Sequence, residues 1–298
     1  MDIVSYLREK KEVIDSALER YFPKDTDFPP SLRQAIRHSL FAGGKRIRPI
    51  LAIAAFDAVG GKGNAILPFA CALEMIHTYS LIHDDLPAID DDDFRRGKPT
   101  CHKVFGEAIA ILAGDALLTE AFQLMTHGTH VHGIVCGEKG VLDIVNRVAQ
   151  AAGISGMVGG QVIDIESEGK EIDLATLQYI HTHKTGAMIR VSVQAGARLG
   201  GAEPESFKAF TRYGERIGLA FQIADDVLDV EGHQDRLGKN VGSDQEKRKA
   251  TYPALMGLEE SKKRAREFME LAIESLNPLG EEANSLRAIA RFIVARDY

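Results

Sequence analysis

Two clusters of aspartate carry the chemistry of this 298-residue chain. The first lies between His83 and Gly97 and holds Asp84, Asp85 and the run Asp90 to Asp93, directly ahead of Arg95 and Arg96. The second is Asp225-Asp226-Val227-Leu228-Asp229, and apolar sequence precedes both. Like charges about 4 Å apart repel by roughly 1 kcal/mol in water and roughly 4 kcal/mol at an effective dielectric near 20. Carboxylates gathered this densely call for cations between them. The pattern reads as a divalent-metal site that holds a phosphorylated substrate.

The second cluster has the simpler geometry. On a helix Asp225 and Asp229 stack on one face, Asp226 lies three before Asp229, and Gln222 sits one turn earlier. The donors are all oxygen, which suits Mg²⁺ or Mn²⁺ better than zinc. A solvated acidic face is the ordinary fate of such a run, but the apolar flanks Ile217 to Phe221 and Val227-Leu228 favour a cavity wall. In the first cluster Asp84 and Asp90 are six apart and cannot share a helix face, so the chain must bend around Pro87. The plain alternative is a surface acidic loop. The alternation and glycine of a calcium-binding EF-hand are missing.

Mg²⁺ is usually held by one or two carboxylates together with substrate phosphates. Two acidic clusters therefore imply a diphosphate bridged by several ions, with basic residues completing the site. Lys45, Arg48, Arg95, Arg96, Lys184 and Lys239 are the candidates, since Arg suits bidentate phosphate contact and Lys supplies point charge. Any one of them alone would more often be a surface ion pair. Gly43-Gly44-Lys45 lacks the spacing of a Walker loop. His77, Ser80 and Asp84 share one helical stripe, which points His77 at the site, although a lone histidine there is commonly a core residue. His127, His130 and His132 have zinc-like spacing but sit in a Gly-rich stretch without Cys or carboxylate neighbours, and zinc is the weaker reading.

Helical periodicity dominates the elements that must position these residues, and strand alternation is nearly absent. The spacing predicts an opening helix to Tyr21 and then a break at Pro23 and Pro29-Pro30. Ser31 with Gln34 reads as a capping box for a helix to about Phe41. A longer helix is expected over 65–85 and ends at the first acidic pair, because Pro87 forces Leu86 out of helical geometry. Further helices are expected over 107–126, 140–166, 173–199, 205–230, 250–275 and 279–296. Asp173 and Pro204 act as start signals, and loops are expected over 128–140 and 232–242. With no long linker or repeat, residues 1–298 read as one all-α domain.

The composition is that of an ordinary soluble protein, 45% hydrophobic and 27% charged. A net charge of −7 argues against a nucleic-acid partner. The three cysteines are sparse, as in a reducing cytoplasm. The N-terminus carries charge at once, and the most apolar run, Pro49 to Phe56, is too short to span a membrane.

Taken together, the chain resembles the trans-prenyl diphosphate synthases, in particular those of bacterial farnesyl type, over nearly its whole length. The markers are Gly43 to Pro49, Asp84 to Gly97, Gly160-Gln161 with Asp164, His183-Lys184-Thr185-Gly186, Phe221-Gln222 with Asp225 to Asp229, and Gly238-Lys239. The resemblance implies an all-α bundle of about ten helices around a central cavity, and a homodimer. It implies transfer of an allylic group from dimethylallyl or geranyl diphosphate to isopentenyl diphosphate, giving farnesyl diphosphate. Alternatives are a C20 geranylgeranyl product, a terpene cyclase or a non-catalytic synthase subunit.

By resemblance, Asp84, Asp90 and Asp225 are direct ligands of about three Mg²⁺ ions, with Mn²⁺ as a substitute, and Asp85, Asp226 and Asp229 support them. Arg95, Lys184 and Lys239 hold the allylic diphosphate. Lys45, Arg48, His77 and Arg96 form the isopentenyl diphosphate pocket. Thr185 and Gln222 face the developing cation. Tyr79, with Ser80 beside it, stands roughly 7–8 Å below Asp84 along a helix and is expected to limit chain length.

Overall fold

A helix that is apolar on every side has to be buried, and Leu67–Asp84 is such a helix. Leu67 to Ile76 is buried without interruption, including Glu74, and the rest of the molecule is built around it. The computed structural model describes residues 2–23, 29–127, 133–231 and 250–295. In chain order its helices are α1 (Ile3–Tyr21), α2 (Pro30–Leu40), α3 (Ile47–Ala58), α4 (Leu67–Asp84), α5 (Cys101–Phe105), α6 (Glu107–His127) and α7 (Gly137–Ala152). They continue with α8 (Met157–Ser167), α9 (Leu174–Ile180), α10 (Ala187–Leu199), α11 (Pro204–Glu231), α12 (Tyr252–Met256), α13 (Leu258–Ser275) and α14 (Asn284–Ala295). The protein is all-α, as its periodicity requires. Helix α4 packs along α6, α3 along α10, and α11 lies against α10 and α13.

One continuous cluster of buried apolar side chains runs from Ile14 to Ile293. Inside it Arg46 is 3% exposed and bonds Glu74 (2.6 Å), Asp15 (2.9 Å) and the Leu40 carbonyl (2.7 Å). A buried ion pair of this kind is costly to break from one side, by about 3–5 kcal/mol. It locks α1, the end of α2, the start of α3 and the middle of α4 into one arrangement.

Several boundaries differ from the sequence expectation. The Ser31–Gln34 capping box is not the start of α2; that helix begins at Pro30, whose fixed φ suits a first-turn position, and its N-cap makes no side-chain bond. The expected 140–166 helix is two helices interrupted at Gly153 to Gly156, and 250–275 is interrupted at Gly257. The segment 173–199 is continuous but carries a wider π-type turn over His181–Gly186. The last segment opens as a 3₁₀ turn, Asn277–Ala283. Asp173 does cap α9, accepting the Thr176 N–H at 2.8 Å. Pro204 does open α11.

One element has no counterpart in the periodicity. Phe94–Arg95 (β1) and Lys98–Pro99 (β2) pair antiparallel as a two-residue hairpin. Arg96 and Gly97 form its turn with φ of 54° and 73°, the conformation that matches strand twist.

Candidate active site

The bend expected at Pro87 is present. After α4 ends at Asp84, the chain turns so that the Asp90 N–H donates to the Asp84 carbonyl at 2.8 Å. The two carboxylate-bearing residues are thereby brought side by side. Burial pushes the Asp84 carboxyl from its ordinary 3.8 up to about 6; Asp90 and Asp85 add to the rise, while Lys184 and Arg95 oppose it. Asp85 is 4% exposed and is also raised, by burial first, against a strong pairing with Arg95 (2.5 Å and 2.7 Å). A carboxyl raised by burial and by its own kind fits cation binding, because a bound cation would offset the cost of its ionised form.

Across from it, α11 carries the second cluster. Asp226 and Asp229 are 3% and 2% exposed, while Asp225 stands further out. Asp226 is fixed from several sides: it accepts the Tyr252 N–H at 3.0 Å and Gln222 Nε2 at 3.3 Å, and His181 Nε2 lies 3.6 Å away. These anchors hold Asp226 in place and leave Asp225 the more accessible of the pair.

Lys184 stands between the clusters. Its ammonium bonds Asp164 at 2.6 Å and is close enough to Asp84 to lower that group's pKa. Lys184, Thr185, Gln222, Asp164, His181 and Asp226 line one polar pocket of about 110 Å³. The π turn and α8 make this possible, since α8 presents bare backbone at Gly160. A methyl there would stand 2.3 Å from the backbone nitrogen of Lys184. Gly160→Ala should therefore lower kcat/KM at least tenfold while the protein still folds, as checked by steady-state rates beside circular dichroism. Unchanged kinetics would show that Lys184 needs no such fit.

A group of cations faces the first cluster. Arg48, Arg96, Arg95 and Arg46 surround His77, which is held well below its ordinary pKa by burial first and by those four guanidiniums after it. Arg48 Nε is buried without a hydrogen-bond partner, and burial together with Arg96 lowers its pKa against the pull of Glu74 and Asp225. Arg96 donates to the Gly43 carbonyl and lies across Gly44, where a Cβ would meet the guanidinium at 2.6 Å. Arg46 and Arg95 are neutralised by their own carboxylate partners, but Arg48 and Arg96 are not, and two such guanidiniums beside a neutral imidazole are the makings of an anion pocket. Lys45 is exposed at its rim.

The expected residues thus fall into one region. Lys184, Thr185, Gln222 and Asp226 line one pocket, from which Lys184 acts on Asp84, and Arg48 lies within electrostatic reach of both Arg96 and Asp225. Tyr79, 7% exposed, sits below Asp84 and packs edge-on against His83 at 5.5 Å. Ser80 turns its hydroxyl to the His77 carbonyl at 2.9 Å. Lys239, His130 and His132 lie outside the described residues, as does the side chain of His127. Two contributors, Asp164 and His181, had no role assigned from sequence. Asp164 is one helical turn beyond Gly160, and His181 is one turn before Lys184, so their stripe was the available signal.

The comparisons with known proteins agree with this geometry. A family model described as polyprenyl synthetase matches residues 29–289. The chain is 48% identical over 298 residues to a farnesyl diphosphate synthase of Geobacillus stearothermophilus, covering 100% of this chain and 99% of that one. It is also 48% identical over 297 residues to a geranylgeranyl diphosphate synthase of Cyanophora paradoxa, covering 99% and 97%. Among solved structures it resembles an FPP/GFPP synthase from Zymomonas mobilis with a TM-score of 0.86, 37% identity and 99% of each chain covered. The chain belongs to the polyprenyl synthetase family.

Proposed function

We propose that this protein joins isopentenyl diphosphate head-to-tail to dimethylallyl or geranyl diphosphate and releases farnesyl diphosphate. The observation that carries the reading is Lys184, paired with Asp164 and acting on Asp84 from the pocket it shares with Gln222 and Asp226. In the reaction the allylic C–O bond breaks and its electron pair leaves with diphosphate. The isopentenyl double bond attacks the allylic cation, a C–C bond forms, and a proton is lost to the released diphosphate.

Mg²⁺, about three ions with Mn²⁺ as a substitute, would be held by Asp84, Asp90 and Asp225 and would offset the leaving group's charge. Asp85, Asp226 and Asp229 fix those carboxylates from behind. Arg95, Lys184 and Lys239 hold the allylic diphosphate, and Lys45, Arg48, His77 and Arg96 hold isopentenyl diphosphate. Neutral His77 can approach the anion pocket without adding to the crowding of cations. Thr185 and Gln222 turn oxygen dipoles toward positive charge as it develops.

The test is direct. Incubated with both substrates and Mg²⁺, then dephosphorylated, the products should be C15 alcohols, and a chelator should cut the rate by more than about 10³-fold. Absence of C15, or turnover indifferent to the chelator, would overturn the reading. A C20 product is the second reading, because the geranylgeranyl and farnesyl relatives are equally similar in sequence.

Helix α6 also supports a homodimer. Its segment Glu107–Thr126 is long and apolar enough to cross a membrane, yet only about a third of that stretch is buried within the protein. Ile111 and Leu112 on α6, and Val158, Val162 and Ile165 on α8, are exposed. A second copy of this chain would cover them. The double variant Ile111→Asp, Leu112→Asp should sediment as a 32.6 kDa monomer, half the mass of the parent species. An unchanged mass would place the interface elsewhere. The core running from Ile14 to Ile293 supports a single domain, and free Cys71 and Cys101 support a reducing cytoplasm.

A further inference from the structure

We propose that Asp91, Asp93 and the imidazole of His102 form a second divalent-cation site, separate from the diphosphate-holding aspartates. It would take an ion that accepts imidazole, such as Mn²⁺, Co²⁺ or Zn²⁺, in preference to Mg²⁺. One carboxylate oxygen from each aspartate and one ring nitrogen of His102 all lie within 4.8 Å of one another. None of the three belongs to the set assigned to Asp84, Asp90 and Asp225.

The imidazole is what raises this above an exposed acidic pair. His102 is 7% exposed, at the start of α5, and its Nε2 is buried without a hydrogen-bond partner. Its tautomer follows from Thr100. The threonine hydroxyl has one proton and donates it to the Asp92 carbonyl at 2.8 Å, with the Asp93 carbonyl further off at 3.4 Å. Toward His102 Nδ1, 3.1 Å away, that hydroxyl can therefore only accept. Nδ1 carries the ring proton, and Nε2 presents a lone pair that no protein donor meets.

A histidine oriented through its other nitrogen by a polar group is the usual state of a metal ligand. The nitrogen distinguishes this site chemically: imidazole suits first-row transition metals, whereas Mg²⁺ favours oxygen and water. Asp93 also pairs with Lys103 at 2.7 Å, and both of those side chains are solvent-exposed, so a metal can displace the ammonium into water. Once bound, the ion would tie the acidic run to α5, just beyond Asp90 and around the Arg95 hairpin.

The experiment uses the intact protein, Mn²⁺ alone and no diphosphate, and reads ¹⁴N modulation in pulsed electron paramagnetic resonance. The expected result is nitrogen modulation in the parent protein that persists in Asp84→Asn, Asp225→Asn and vanishes in His102→Gln. Asp91→Asn, an exposed change that leaves the core untouched, should weaken the nitrogen-coordinated Mn²⁺ at least tenfold. It serves as the deciding variant if His102→Gln fails to fold. Absence of nitrogen modulation at saturating Mn²⁺, its survival in His102→Gln, or unchanged affinity in Asp91→Asn would each overturn the proposal.

Discussion

Asp84→Asn should lower kcat/KM by about 10³-fold or more and yet stabilise the metal-free protein at pH 7. The two effects share one cause. Burial, with Asp90 and Asp85 close by, pushes the Asp84 carboxyl up to about 6. Its ordinary value is 3.8, so between roughly pH 4 and 6 the folded state binds more protons than the unfolded one. Stability of the metal-free protein therefore falls as pH rises through that window, and it stays lower above it. The ionised carboxyl costs on the order of 1–3 kcal/mol after allowance for screening. Asparagine keeps the shape and removes the charge, so melting temperature at pH 7 should rise and its decline between pH 4 and 6 should flatten. A variant that is inactive and also less stable would mean that Asp84 is held by contacts rather than repelled.

Tyr79→Ala should move the main product from C15 to C20 or longer. The ring lies about five residues below Asp84 on α4, roughly 7–8 Å along the axis. It is 7% exposed and is braced edge-on by His83, whose Nε2 contacts the Ile111 carbonyl of α6 at 3.0 Å. A braced ring makes a firm floor, whereas a mobile one would yield to the growing chain. Removing a buried aromatic costs about 3–5 kcal/mol, so rates will also fall, and the informative quantity is the ratio of chain lengths. An unchanged C15 product from a folded Tyr79→Ala protein would rule out Tyr79 as the stop.

Much of this was legible in the chain itself, for definite reasons. The spacing of the α11 aspartates was readable because a regular helix sets Asp229 one turn beyond both Asp225 and Asp226, and the helix is continuous there. The bend joining Asp84 to Asp90 followed from Pro87. What stayed hidden depended on contacts between distant segments. Nothing in the spacing of Arg46 and Arg48 says that the first is consumed by Glu74 and Asp15 while the second keeps an open Nε. The Arg96-Gly97 turn was too short to leave a periodic trace. The helix breaks at Gly153 and Gly257 were obscured because apolar spacing resumes on the far side.

That hairpin sets a limit on how the family's chemistry can be tuned in this chain. Arg95 ends β1 and Arg96 opens the turn, and here one guanidinium reaches back to Asp85 while the next reaches across to Gly43. On the proposed roles, the handles for both reactants hang from a single tight reversal. Lengthening or shortening it by one residue would shift both arginines together, so neither reactant's handle can be moved without disturbing the other.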